Sequence, residues 1–278
     1  MRTRGLLVVA VGLLILVAAG AVWELRPSEL PPQEAEDSGE ILPIPPVPPR
    51  IAEGPDYEKC LGMLGSDPEG ANTFADAWQA TGGGEGADHC LALAKLQLGD
   101  VETGAEMLEK LAASSKAPAA ARATVYGQAD QAWLMTGDAD HALADATLAL
   151  SLSPDDPDLL IDRSVASATL GHFDDAVDDL SHALELDGKR PDALVLRAAA
   201  WRHEGHLDLA QDDVDRAISQ DPDNPEAYLE RGILRQRRGD RAGAQADWQH
   251  AATLAPDSAT SDLAEQNLAL LEAGPEQK

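Results

Sequence analysis

GDADHALADATLALSLSPDDPDLLIDRSVASATL, residues 137–170, and GHLDLAQDDVDRAISQDPDNPEAYLERGILRQRR, residues 205–238, are two copies of one plan. Aligned on Gly137, Gly171, Gly205 and Gly239, each 34 residues from the last, four units follow one another without a gap from Ala123 to Ser258. Five residues after each glycine stands Ala142, Ala176, Ala210 or Ala244, and seven further on Ala149, Ala183, Ala217 or Ala251. Pro154, Pro222 and Pro256 end three of the units, and Gly188 stands in the corresponding place of the second. The glycine permits a turn between two helices, and the alanines fall where two helix backbones must approach closely. The Pro-Asp runs between units stop one helix and put an acidic residue at the start of the next, where the macrodipole favours it. A single such hairpin leaves an apolar face bare, so stability requires stacked neighbours.

This pattern resembles the tetratricopeptide repeat, whose 34-residue period and small-residue positions it shares. The resemblance implies an all-α solenoid, a right-handed superhelix of helix–turn–helix units. Residues 119–258 then hold four repeats, at about 123–156, 157–190, 191–224 and 225–258, and Ala259 to Ala273 form a capping helix before a polar tail at 274–278. Upstream, residues 56–118 read as divergent helical pairs: Tyr57–Leu64 with Pro68–Thr81, then Asp88–Leu98 with Val101–Ser114 across Gly99-Asp100. Gly104 falls near the expected small position, and the glycine-rich run Thr81 to Gly86 reads as an interhelix loop.

Composition agrees with helices and limits the partners. The chain is 44% hydrophobic but only 4% aromatic, which suits alanine- and leucine-rich helices rather than sheets. Its 49 acidic against 21 basic side chains give a net charge of -28, which repels nucleic acid, so no nucleic-acid partner is expected.

The first residues differ in kind. Arg2 and Arg4 precede an uncharged apolar run from Gly5 to Trp23, long enough to cross a bilayer, and Glu24, Glu29, Glu34, Glu36 and Asp37 follow it. That charge order orients the chain with its N-terminus inside and its body outside. Residues 1–26 are therefore a transmembrane anchor or a signal peptide, the latter with small residues at Ala19-Gly20-Ala21 for cleavage. The expected location is the inner membrane with the repeats in the periplasm, or the soluble periplasm after cleavage. Residues 27–55 form an acidic, then proline-rich linker in which Leu42 to Pro49 favour extended polyproline II, as a stalk or as a docking motif.

Motifs of catalysis and of cofactor chemistry are lacking in the sequence. Thr81 to Gly86 lacks the lysine and the preceding strand of a phosphate loop, and Asp155-Asp156-Pro157-Asp158 lacks the glycine and glutamate of a calcium loop, which leaves it to helix capping. The seven histidines have no metal-ligand spacing, and no serine, histidine and aspartate share a nucleophile context. The expectation is a non-enzyme without cofactors. Cys60 and Cys90 are the only cysteines, and export predicts a disulfide between them.

Two further sets of residues recur. Arg163, Arg197 and Arg231 lie eight residues before a turn glycine, and Asp145, Asp179, Asp213 and Asp247 lie eight after one. An antiparallel hairpin brings such positions to one height. Because Asp145 and Arg163 also straddle Pro154 symmetrically, the seven residues are expected to alternate as one continuous charge ladder.

The resemblance further implies that the first helix of each repeat lines the concave side, where the fifth and ninth positions point into the groove. These are Ile161, Val165, Val195, Ala199, Leu229 and Ile233, an apolar stripe, with Arg202, His203, Gln236 and Arg237 as a basic edge. The same apolar residues could instead pack between adjacent inner helices. A partner suited to the groove is a peptide or amphipathic helix with apolar anchors and acidic flanks. The family implies a protein-binding scaffold of the cell envelope; the alternatives are a chaperone-like holder of exported chains and an accessory subunit of an envelope enzyme.

Overall fold

The computed structural model describes residues 50–273. The apolar segment at 1–26, linker residues 27–49 and the polar tail at 274–278 lie outside the described residues. Thirteen helices and no strand occupy the described residues: α1 (Pro55–Met63), α2 (Pro68–Ala80), α3 (Gly84–Gln97), α4 (Val101–Ser114), α5 (Ala119–Thr136), α6 (Ala139–Leu152), α7 (Pro157–Thr169), α8 (Phe173–Leu186), α9 (Pro191–His203), α10 (Leu207–Gln220), α11 (Pro225–Arg237), α12 (Arg241–Leu254) and α13 (Ala259–Ala273). Among the described residues no helix is long and apolar enough to cross a membrane.

The regular hairpins follow the sequence plan closely. Pro157, Pro191 and Pro225 each take the first position of a helix, where the missing N–H removes nothing. Asp156 caps α7 by accepting from the Asp158 and Leu159 amides, and Asn224 caps α11 by accepting from Ala227. The turn glycines sit at φ between 82° and 85° at Gly137, Gly171, Gly205 and Gly239, a left-handed conformation that costs other residues about 1 kcal/mol or more. Gly99 shares it at φ 84°, which marks α3 and α4 as a hairpin of the same kind. The spacing from Gly99 to Gly137 exceeds the regular period, and α5, at 18 residues against 13 for α7, takes up the excess.

Each helix packs on its chain neighbours, and the odd-numbered helices also touch one another, α5 on α7, α7 on α9, α9 on α11 and α11 on α13. That second set of contacts places the odd-numbered helices on the inner side of the stack. The core between the two layers is built from fully buried alanines, Ala142, Ala176, Ala210, Ala244, Ala149, Ala183, Ala217 and Ala251 among them, so backbones approach without large side chains between them.

One boundary departs from the sequence reading. The glycine run expected as a loop through Gly86 instead enters α3 at Gly84. Gly83 and Gly86 lie against Trp78, and a Cβ on either would meet its ring at 2.8 Å. Contact with an indole from the preceding helix thus extends α3 backward through residues of poor helix propensity.

Candidate functional site

The two cysteines are bonded. Cys60 of α1 and Cys90 of α3 form a disulfide with their Cα atoms 6.2 Å apart, and both are fully buried beside Ala75, Phe74 and Leu91. A second fastening lies nearby. Buried His89 donates from Nε2 to the amide oxygen of Gln128 at 2.7 Å, which leaves Nδ1 to accept from the Tyr57 hydroxyl at 2.6 Å. Burial lowers the pKa of His89, so the imidazole stays neutral and its two nitrogens tie α1, α3 and α5 together. The sequence reading asked of the histidines only whether they have metal-ligand spacing, and so missed this one.

The recurring charges form separate clasps. Arg163 grips Asp179 through Nε and Nη2 at 2.7 and 2.6 Å, Arg197 grips Asp213 at 2.8 and 2.8 Å, and Arg231 grips Asp247 at 3.0 and 2.8 Å. The aspartates are buried, and the pairing raises the pKa of Arg163 and Arg231. The continuous ladder is corrected in two respects. No ion pair crosses from one hairpin to the next at Asp145–Arg163, Asp179–Arg197 or Asp213–Arg231; Arg197 instead reaches back with Nη1 to the Ser181 hydroxyl at 3.0 Å. The planar fork explains it, since Nε and Nη2 of each arginine are both committed to the aspartate of its own hairpin, and Asp213 and Asp247 accept in addition from Arg216 and Arg235 of those same hairpins. Asp145 has no arginine at all, because the residue across its hairpin is Ala129.

On the inner side, the predicted groove residues divide into three groups. Ile161 and Val195 are buried, 8% and 9% exposed, and pack between helices rather than into open space. Val165, Ala199 and His203 meet Ala168, Phe173 and Leu196 around an open, mainly apolar cavity of about 320 Å³. There the His203 ring stacks on Phe173 with centroids 4.2 Å apart, and desolvation together with Arg202 and Arg237 lowers its pKa. Leu229 and Ile233 join a different cluster with Trp248 and the helix α13 residues Ala264 and Leu271.

The basic edge is partly spoken for. Arg202 donates from Nε to the carboxylate of Glu230 at 2.5 Å, and the two side chains are 12% and 7% exposed. Burial raises the pKa of Glu230 and Arg202 opposes the rise. The pair bridges α9 and α11, so Arg202 supports the groove wall and is not a free cation for a partner. Arg237 is exposed and donates to the Arg202 carbonyl at 3.4 Å, and Gln236 is exposed beside it. Toward the other end, Asp156, Asp158 and Asp162 share a smaller depression of about 190 Å³ with Gln128 and Gln131. The inner face is therefore acidic along α7 and basic where α9 and α11 end. Phe173, Leu196 and Glu230 were missed in the sequence because they fall outside the repeat positions considered; an unpaired glutamate on an inner helix was the available signal for Glu230.

A stack of antiparallel helical hairpins on a fixed period, with an open surface on its inner helices, defines a helical-repeat solenoid. The model of the tetratricopeptide-repeat family matches residues 132–201 of the chain. No curated protein matches it. Among solved structures, a chain of the APC/C hetero-tetramer Cut9-Hcn1 superposes with a TM-score of 0.59 at 14% identity, over 77% of this chain and 42% of that one. The present chain thus spans under half the length of that structure's chain. The MamA protein superposes at 0.51 with 16% identity over 65% of this chain and 98% of its own. MamA from Desulfovibrio magneticus RS-1, from residue 41 to its end, gives 0.54 with 17% identity over 63% and 97%. At such identities the likeness shows the fold.

Proposed function

We propose that the protein is a non-catalytic scaffold of the bacterial cell envelope that holds a partner peptide or helix against its inner helices. The observation that carries this reading is the cavity of about 320 Å³ walled by Val165, Ala168, Phe173, Leu196 and Ala199. It is apolar and open in a chain of net charge -28, and exposed Arg237 stands near it at the ends of α9 and α11. An apolar side chain of a partner fills the cavity, and an acidic flank of the same segment meets the basic edge. Residues 1–26 anchor the chain at the inner membrane or direct its export, and the repeats act outside the cytoplasm.

The test begins with the partner recovered by crosslinking from the native membrane. Val165→Asp with Ala199→Asp weakens its binding by about tenfold or more, as loss of a central anchor does. Leu209→Asp, at a 46% exposed position on α10 away from the inner layer, leaves binding unchanged. If the folded inner-face variant binds as the parent does while Leu209→Asp does not, the docking surface is on the outer helices.

A further inference from the structure

The first regular hairpin breaks the pattern of the three after it at two adjacent positions. Where the others have Arg163, Arg197 and Arg231 it has Ala129, and where they have Ser164, Ala198 and Gly232 it has Asp130. The second position is where helices come closest: Ser164 and Ala198 are 1% and 0% exposed, and a Cβ on Gly232 would lie 2.3 Å from Trp248 Nε1. Asp130 places a carboxyl in that confined space. It is 0% exposed, and neither of its oxygens has a hydrogen-bond partner among the described residues. Asp145, 2% exposed and without its arginine, leaves Oδ2 unpartnered, and the nearby Trp133 Nε1 also completes no hydrogen bond. Four of the five such buried side-chain atoms among the described residues belong to this one hairpin.

The groups facing the pair are mostly of the same sign. Asp162 on α7 faces Asp130, and Glu109 on α4 faces Asp145. Tyr126 on α5 lies within the field of Asp145, Glu109 and Arg122, but the Arg122 Nε is committed to the Ala112 carbonyl at 2.8 Å. Around Asp162 stand Gln131, Asp156 and Asp158, with Arg190 already paired to Asp158 and Asp192. The cation that faces Asp145 is His141 on α6, held by Asp138 at 2.7 Å.

We propose that Asp130 and Asp145 form a proton-dependent latch, which holds α5 and α6 against α4 and α7 when protonated and loosens that junction when ionised. Uncharged carboxyls are tolerated in a tight, apolar contact, whereas two carboxylates without counterions are not. Burial first, then Asp162 and Asp145, pushes Asp130 up to about 8. Burial and Glu109 push Asp145 up to about 7 against the pull of Trp133 and His141, and burial raises Asp162 to about 6. The folded chain therefore holds protons that the unfolded chain releases near an ordinary carboxylate pKa of about 4. Their stabilising effect is complete below that pH, declines as pH rises and is lost on passing through about 7 to 8. His141, raised by Asp138, gives up its own charge in the same direction, so the cation beside Asp145 disappears as the anions form. The latch lies where the disulfide-fastened pairs meet the clasped repeats, so it controls how firmly the two halves of the solenoid are joined.

Hydrogen exchange on the full chain at about pH 5.5 and about pH 8.5, corrected for intrinsic rates, tests the latch. Protection in residues 119–152 is expected to fall by about tenfold or more relative to residues 225–254 between the two conditions. Asp130→Ala, which installs the residue found at Ala198, and separately Asp145→Asn, remove most of that fall, and Asp130→Ala raises the denaturant midpoint at the higher pH. An equal response of the two segments in the parent overturns the proposal. So does an undiminished fall in whichever variant folds.

Discussion

The two ends of the solenoid are held together by different chemistry. Between Pro55 and Ser114 the helices depend on one covalent bond, Cys60–Cys90, and on the buried Tyr57–His89–Gln128 chain. Between Pro157 and Leu254 there is no such bond, and each hairpin carries its own buried Arg–Asp clasp. The physical difference is one of locality. A clasp stabilises the hairpin that contains it and can be copied with the repeat. A disulfide constrains the unfolded chain over the whole loop it closes and suits pairs whose sequence has drifted from the repeat. The hairpin of α5 and α6 lies between these regions and has neither device, and its aspartates are the ones without partners.

The largest effect separates the two ends most sharply. Replacing both cysteines, Cys60→Ser with Cys90→Ser, is expected to destabilise residues 55–114 by about 3.5 to 4 kcal/mol through the loop that the bond closes. Hydrogen exchange should then show protection lost in α1 to α4 and kept in α7 to α12. Uniform loss along the chain would mean that the two regions unfold as one unit.

Next comes the clasp. Arg197→Ala takes the forked guanidinium from Asp213, only 4% exposed, leaves it the single 3.3 Å contact of half-exposed Arg216, and is expected to cost about 3 kcal/mol in urea denaturation. Arg238→Ala removes an ion pair to fully exposed Asp208 and should leave the midpoint where it was. Equal midpoints for the two variants would show that the clasps are ornaments of the surface and that packing alone holds the regular end.

A smaller effect probes the close helix contact itself. Gly232→Ala forces a methyl group toward the buried Trp248 ring and should cost about 2 kcal/mol, with a change in near-ultraviolet circular dichroism from the displaced indole. The reverse change in the preceding repeat, Ala198→Gly, should cost about 1 kcal/mol through helix propensity. If the first substitution is silent, the small residue at this position is not dictated by packing, and the contrast with Asp130 loses its basis.

Most of the regular half was legible before any coordinate. The turn glycines, the proline starts and the pairing of Arg163 with Asp179 follow from helix rise and hairpin symmetry, because positions equidistant from a turn must face each other. The same symmetry argument failed across the prolines. A guanidinium fork committed to one carboxylate is not available to a second, and symmetry of position carries no information about which partner is reached first. In the candidate groove, Val165, Ala199 and His203 come together, while Ile161 and Val195 are taken into the core and Arg202 is taken by Glu230.

The amino-acid sequence by itself determined that this chain is a stack of helical hairpins, where the regular ones turn and which arginine closes on which aspartate within them. All of those depend on residues within one repeat length, where backbone geometry and spacing suffice. Only the tertiary structure decided that α3 begins among glycines under Trp78, that Phe173 and Leu196 complete the apolar cavity, and that Asp130 lies buried without a partner. Those depend on the curvature that brings neighbouring repeats together, and so on which side chain reaches a shared space first.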